Sequence, residues 1–326
     1  MRRARQAGAA LLAAMLIVTL VATFAAASMW QQWRAVEIEA AERTRVQASW
    51  ILTGALDWAR LILREDARAG GADHLAEPWA VPLEEARLST FLAADKNNNV
   101  AGENPEGDNM FLSGQIIDLQ SLLNVNNLVE AGRISDSGLR SFSRLFEVLG
   151  IPQSQLNKMA ENLRFAADIS TDNRSAALAP LMPQRVEQLV WLGLPVQTVA
   201  VLEPYVTVLP ARTPVNLNTA SAEVIYAAVA GIGMSDAQRL VAERDRQHYR
   251  HLPDAAKHLP SPETAFTEGT VAVSSRFFEV RGRLRVDDVV MEQRSIVQRD
   301  GLGVRTVLRE HGVVDPTALA RAAAPR

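Results

Sequence analysis

The hydropathy pattern divides the chain sharply near its start. No charge occurs between Arg5 and Arg34, and Ala9 to Met29 is a run of Ala, Leu, Ile, Val, Met and Phe broken only by Thr19, Thr23 and Ser28. At ~1.5 Å per residue such a helix crosses a hydrocarbon core of roughly 30 Å. Arg2, Arg3 and Arg5 precede the run. A positive flank stays in the cytoplasm, so the chain after Arg34 is expected outside, which in a Gram-negative cell is the periplasm. Two plain readings of the run are an uncleaved anchor and a cleaved secretory signal, with Ala25-Ala26-Ala27-Ser28 as the cleavage region.

The periodicity then changes. Residues 30–69 contain no Pro and a single Gly, Gly54. Ile51, Ala55, Trp58 and Ile62 recur at helical spacing, as do Leu52, Leu56, Ala59 and Leu63, with Arg43, Arg45, Asp57, Arg60, Arg64 and Glu65 on the other faces. The spacing predicts that the helix continues to Gly70-Gly71 and needs a partner for its Trp50–Leu63 stripe. Residues 70–82 read as a connector and 83–93 as a short amphipathic helix. Asp95, Asn97, Asn99 and Glu106 fall at positions 1, 3, 5 and 12 of an EF-hand loop, but Val100 stands where the turn needs glycine, so a solvated loop is the better reading.

A strand is expected from Ser113, with an Asn-rich turn ending at Leu128. Residues 129–261 read as nearly all helix, with segments at Ser135–Leu149, Pro152–Ala167, Pro183–Leu192 and Val196–Leu202. The tail returns to alternation at Thr270–Ser274, Arg276–Val286, Val289–Arg299 and Gly303–Leu308. Three of these strands and the one near Ile116 should make a small antiparallel sheet. Residues 315–326 look frayed.

Composition narrows the chemistry. The chain has 326 residues, a formal net charge of −3 and no cysteine. That excludes disulfides, a thiol nucleophile and Cys-based zinc sites. The charge is too close to neutral for a general nucleic-acid binder. No Gly-x-Ser-x-Gly elbow, phosphate-binding Gly-Lys-Ser/Thr loop or His-Glu-x-x-His occurs. His248, His251 and His258 cluster, whereas His74 and His311 are far away in sequence, and a solvated loop is the expected outcome. No convincing nucleophile–base pair stands out, so an enzyme is not expected.

Several segments carry a resemblance. Arg5-Gln6-Ala7-Gly8 followed by Ala9-Ala10-Leu11-Leu12 resembles a type IV prepilin leader. In that family a peptidase cuts after the glycine and leaves the apolar helix on the mature protein, which implies processing at Gly8 and N-methylation of Ala9. Most pilins then carry Glu at mature position five, where this chain has Ala13. The absent acid, the strand ending Asn124-Val125-Asn126-Asn127-Leu128, the Asn216-Leu217-Asn218-Thr219-Ala220 unit and the final strands together resemble minor pseudopilin K of type II secretion. Leu123 stands where that family usually has an aromatic residue.

The resemblance implies an α+β, type IV pilin-like fold. A long N-terminal transmembrane helix would pack on a small antiparallel sheet, with a large all-α insertion containing a helix-hairpin-helix or SAM-like unit. The implied boundaries are a leader at 1–8, a transmembrane helix at 9–33, a pilin-like spine and first strand at 34–128, inserted helices at 129–265, C-terminal strands at 266–312 and a tail at 313–326. The implied role is a non-enzymatic subunit at the tip of a periplasmic filament, single-pass in the inner membrane, aiding export of folded proteins. Implied partners are minor pseudopilins I, J and H, the major pseudopilin G and the prepilin peptidase. The outer-membrane secretin and the secreted proteins are further contacts. Calcium is associated with the family; here Asp168 and Asp172 are the candidate carboxylates, without the family's following acids.

The unit around Gly231 and Gly233 taken alone also resembles the helix-hairpin-helix of DNA-binding competence proteins. It opens an alternative, a membrane-anchored DNA receptor. Asp236 beside the hairpin and acids interleaved with Arg239, Arg244 and Arg246 oppose that reading, so no nucleic acid is expected.

Overall fold

The structure, a computed structural model, describes residues 4–93, 109–168, 178–259, 266, 269–287 and 289–314. The chain falls into two compact units, Met1–Gly54 and Ala55–Arg326. Helix α1 runs over Ala4–Ala69. Its uninterrupted course follows from the absence of Pro before Gly70 and Gly71, whose φ of +69° and +123° end it. From Leu11 to Trp33 the large apolar side chains are at least 54% exposed. Ala9–Ala69 is long and apolar enough at its start to cross a membrane.

In the second unit an antiparallel sheet has five strands, β1 (Leu83–Arg87), β2 (Met110–Asp118), β3 (Phe277–Val286), β4 (Val289–Asp300) and β5 (Gly303–Val314), ordered as numbered. The expected sheet had four strands. The fifth is β1, within the segment predicted as a helix; only Leu88–Ala93, α2, is helical there. Pairing of Leu83 with Gly114 and of Ala86 with Leu112 outweighs the local helix preference of Glu and Ala. The last strand continues past Leu308 to Val314. Val271–Ala272 does not join this sheet; it pairs in parallel with Val215–Asn216.

One sheet face packs on the end of α1. Leu56, Ala59 and Leu63 meet Trp79, Phe278, Val280, Val297 and Val304 in one cluster. The buried stripe is narrower than the periodicity suggested: Trp50 is 72% and Trp58 43% exposed. Arg60 donates to the Val304 carbonyl from Nε at 3.0 Å and from Nη2 at 2.6 Å, covering a main-chain acceptor on the outermost strand. On the other face Phe277 and Ile296 pack with Leu119 and Leu209.

Neighbouring strands β2 and β3 are separated in sequence by a helical block. It comprises α3 (Asp136–Val148), α4 (Gln153–Ala166), α5 (Val196–Leu202), α6 (Ala222–Ala228), α7 (Met234–Arg246) and α8 (Leu252–Ala256). The segment before α5 winds as a 3-10 helix over Val186–Leu192, shorter than expected. Leu128, Phe142, Phe146, Leu163, Leu202, Val224 and Leu240 belong to its single large core.

Candidate functional site

Two asparagine clusters hold the block to the strands. The first follows β2. Asn124 donates Nδ2 to Ala211 O at 2.7 Å and accepts at Oδ1 from Leu209 N at 3.1 Å. Asn126 Nδ2 reaches Leu209 O at 2.6 Å. Asn127 accepts from Thr213 N and donates to Thr213 O at 3.1 and 2.7 Å. A side-chain amide offers the same donor–acceptor pair as a peptide, so these residues bind 209–213 as a strand would. Gly138 must lack a side chain, because a Cβ there would lie 2.1 Å from Asn127 O.

The second cluster centres on Asp118, the last residue of β2, 3% exposed. Its carboxylate accepts from Gln120 N at 2.8 Å, Asn216 Nδ2 at 3.0 Å, Thr219 Oγ1 at 2.6 Å and Ser275 Oγ at 2.7 Å. Burial raises its pKa against these four donors. Asn216 also donates to Asp73 O, and Asn218 exchanges hydrogen bonds with both main-chain groups of Tyr249. The Asn-Leu-Asn-Thr unit therefore ties the block to β2, to the loop before β3 and to the segment after α1.

Beside it lies a charged cluster. Arg299 on β4 donates to Asp66 Oδ2 at 2.6 Å and to both Asp73 oxygens at 2.5 and 2.7 Å. Glu77 Oε2 accepts from His74 N at 2.8 Å and Trp79 Nε1 at 2.7 Å. Burial pushes Asp73 up to about 6 and Glu77 up to about 7, with Asp66 adding to the rise at Glu77. Sequence reasoning missed this cluster because Arg299 is remote from its partners. It also took the histidines as a solvated group with His74 apart, whereas the rings of His74 and His248 stack at 3.7 Å. Burial and the facing His248 ring lower the His74 pKa.

The expected site residues lie in several places. Ala9 and Ala13 are exposed positions of α1, and Gly8 lies in its first turns. Gly231, with φ +79°, and Gly233, the N-cap of α7, share the turn between α6 and α7. The Gly233 N–H that could face a phosphate donates instead to Asp236 Oδ2 at 3.1 Å. Arg144 holds the carbonyls of Tyr226 and Ile232, both at 2.8 Å. These contacts use the hairpin's polar groups internally. Asp168 lies two residues past the end of α4, and Asp172 lies outside the described residues, as do Asp95, Asn97, Asn99 and Glu106. Two carboxylates are few for calcium, which takes about six to eight oxygens. Among the described residues the one group of three acids with metal-ligand spacing is Asp66, Asp73 and Glu77, and Arg299 already neutralises part of its charge.

Comparison with known proteins agrees with this architecture. Two family models described as type II secretion system protein K match residues 121–211 and 215–274. The protein named type II secretion system protein K of Pseudomonas aeruginosa is 28% identical over 96% of this chain and 94% of its own. Its namesake in Pectobacterium carotovorum subsp. carotovorum is 27% identical over 95% of this chain and 98% of its own. A chain from the crystal structure of the GspK-GspI-GspJ complex of enterotoxigenic Escherichia coli shares the fold, with a TM-score of 0.62 and 19% identity, over 83% of this chain and 98% of that one. The matched regions contain the asparagines of both clusters, and over most of its length the chain is similar to type II secretion system protein K.

Proposed function

We propose that this chain caps the tip of a periplasmic pseudopilus and aids export of folded proteins, without catalysing a reaction. The observation that carries the reading is Ala13 on an exposed apolar helix. A filament subunit packed beneath a neighbour gains from an acid at that position, because it would pair with the neighbour's N-terminal amine inside an apolar bundle. A buried carboxylate without that partner is costly. A subunit with nothing above it gains nothing from the acid. The helical block between β2 and β3 supports the same reading, since it adds bulk where a further subunit would have to stack.

In this account the prepilin peptidase cuts after Gly8, Ala9 is N-methylated, and the helix over 9–33 leaves the inner membrane to enter the filament. The C-terminal region then works in the periplasm as a pilin-like domain whose inserted helices include a SAM-like hairpin. Minor pseudopilins I and J are the direct partners, with H and the major pseudopilin G below. The secretin and the secreted proteins meet the tip. Were calcium held by this chain, Asp168 and Asp172 would supply only two of its oxygens, and no step depends on it.

Support for the partners comes from the fold shared with a chain of the GspK-GspI-GspJ complex. The test is co-expression of the full chain with its own I and J subunits and purification through a tag on J. Stoichiometric recovery of all three is expected. Recovery of I and J without this chain contradicts the proposal.

A further inference from the structure

The ligand atoms of Asp66, Asp73 and Glu77 lie within 4.8 Å of one another, and the cation hydrogen-bonded within this group is Arg299. Three carboxylates against one guanidinium leave an excess of negative charge where water is scarce. The cluster borders an open cleft with Gly70, Gly71 and Arg276, so a proton can reach it from solvent. Its members sit on different elements. Asp66 is in the last turns of α1, and Arg299 is near the end of β4. Asp73 accepts from Ser275 N at 2.6 Å, and Asp73 N donates to Val273 O at 3.0 Å. Glu77 anchors Trp79, whose ring packs edge-on against Phe278 at 5.2 Å.

We propose that Asp66, Asp73, Glu77 and Arg299 form a pH-sensitive clasp, closed when the cluster holds a proton, that fastens the Gly70–Gly71 joint to the sheet. Loss of that proton leaves three carboxylates within 4.8 Å of one another against one guanidinium and loosens the joint. The groups facing the cluster fit this direction. Asp118 adds negative charge beside Asp73, and Asp300 lines the same cleft. Arg276 lines the cleft as well, and its positive charge acts oppositely; its main-chain N–H is used on Gln120. His74, stacked on His248, acts oppositely: Ala76 N donates to its Nδ1 at 3.3 Å, which requires the neutral ring. Acidification well below pH 6.5 therefore works against the clasp, and its useful window lies between pH 6 and 8.

The sign follows from linkage. A carboxyl held at about 7 when folded and 4.5 when unfolded keeps a proton that the open form releases, so closure weakens as pH rises through 7. The test is amide exchange over residues 70–77 in the full chain in detergent micelles, corrected for the intrinsic pH dependence. Protection about tenfold greater at pH 6 than at pH 8 is expected. Glu77→Gln, which keeps an acceptor for His74 N and Trp79 Nε1 and can donate to Asp66, should hold the high protection at both pH values. Asp66→Asn, a second variant should the first misfold, should flatten the profile in the same way. Equal pH responses in the wild type and a folded variant overturn the clasp. Calcium or magnesium that restores protection at pH 8 in the wild type but not in Glu77→Gln also overturns it, and reassigns the acids to a cation.

Discussion

At the residue scale, hydrogen-bonding side chains do much of the joining. Asp118 satisfies four donors from three segments. Removing it leaves those donors buried, although its own desolvation cost also disappears. Asp118→Ala should lower stability by about 2–4 kcal/mol, read as a shift in urea midpoint at unchanged slope. Gly138 offers a sharper case, because its neighbour is a main-chain carbonyl that cannot swing aside. Gly138→Ala should cost at least about 2 kcal/mol in the same assay. The Asn-x-Asn-Asn motif was visible in the sequence as a turn. Its partners at 209–213 were not, since a side-chain amide binding a distant main chain leaves no periodic trace. The Asp66–Asp73–Glu77–Arg299 cluster was illegible for the same reason: Asp66 and Arg299 meet across 233 residues.

At the element scale, periodicity served best where one face is buried over several turns. It placed the end of α1 before Gly70 and the block of helices between the strands. It failed at 83–87, where an edge strand forms by pairing with β2. It also widened the α1 stripe, because Trp58 sits at helical spacing without being buried. Leu56 and Leu63 define the true contact with the sheet. Leu63→Ala should cost about 2–5 kcal/mol, whereas Trp50→Ala, at a position 72% exposed, should leave unfolding nearly unchanged. The hairpin between α6 and α7 makes a different prediction. Gly231 has φ +79° with open space around it, so Gly231→Ala adds backbone strain of about 1–2 kcal/mol. Neither this variant nor the parent should be retained on immobilised duplex DNA at low salt. Retention that falls as salt rises would favour the DNA-receptor alternative.

At the scale of the whole molecule, an apolar helical N-terminus, a five-stranded sheet and a helical block between two adjacent strands make one subunit. The order of weak signals along the chain carried the resemblance to type II secretion system protein K better than any one motif. The proposed tip role depends on processing within α1, where Gly8 and Ala9 lie next to the basic leader. The decisive measurement is the N-terminal mass of the membrane-extracted protein from cells with and without the prepilin peptidase. The account predicts an N-methylated Ala9 only when the peptidase is present. An intact Met1, or a start near Ser28, in peptidase-containing cells would contradict it and leave an anchored or secreted protein outside the filament.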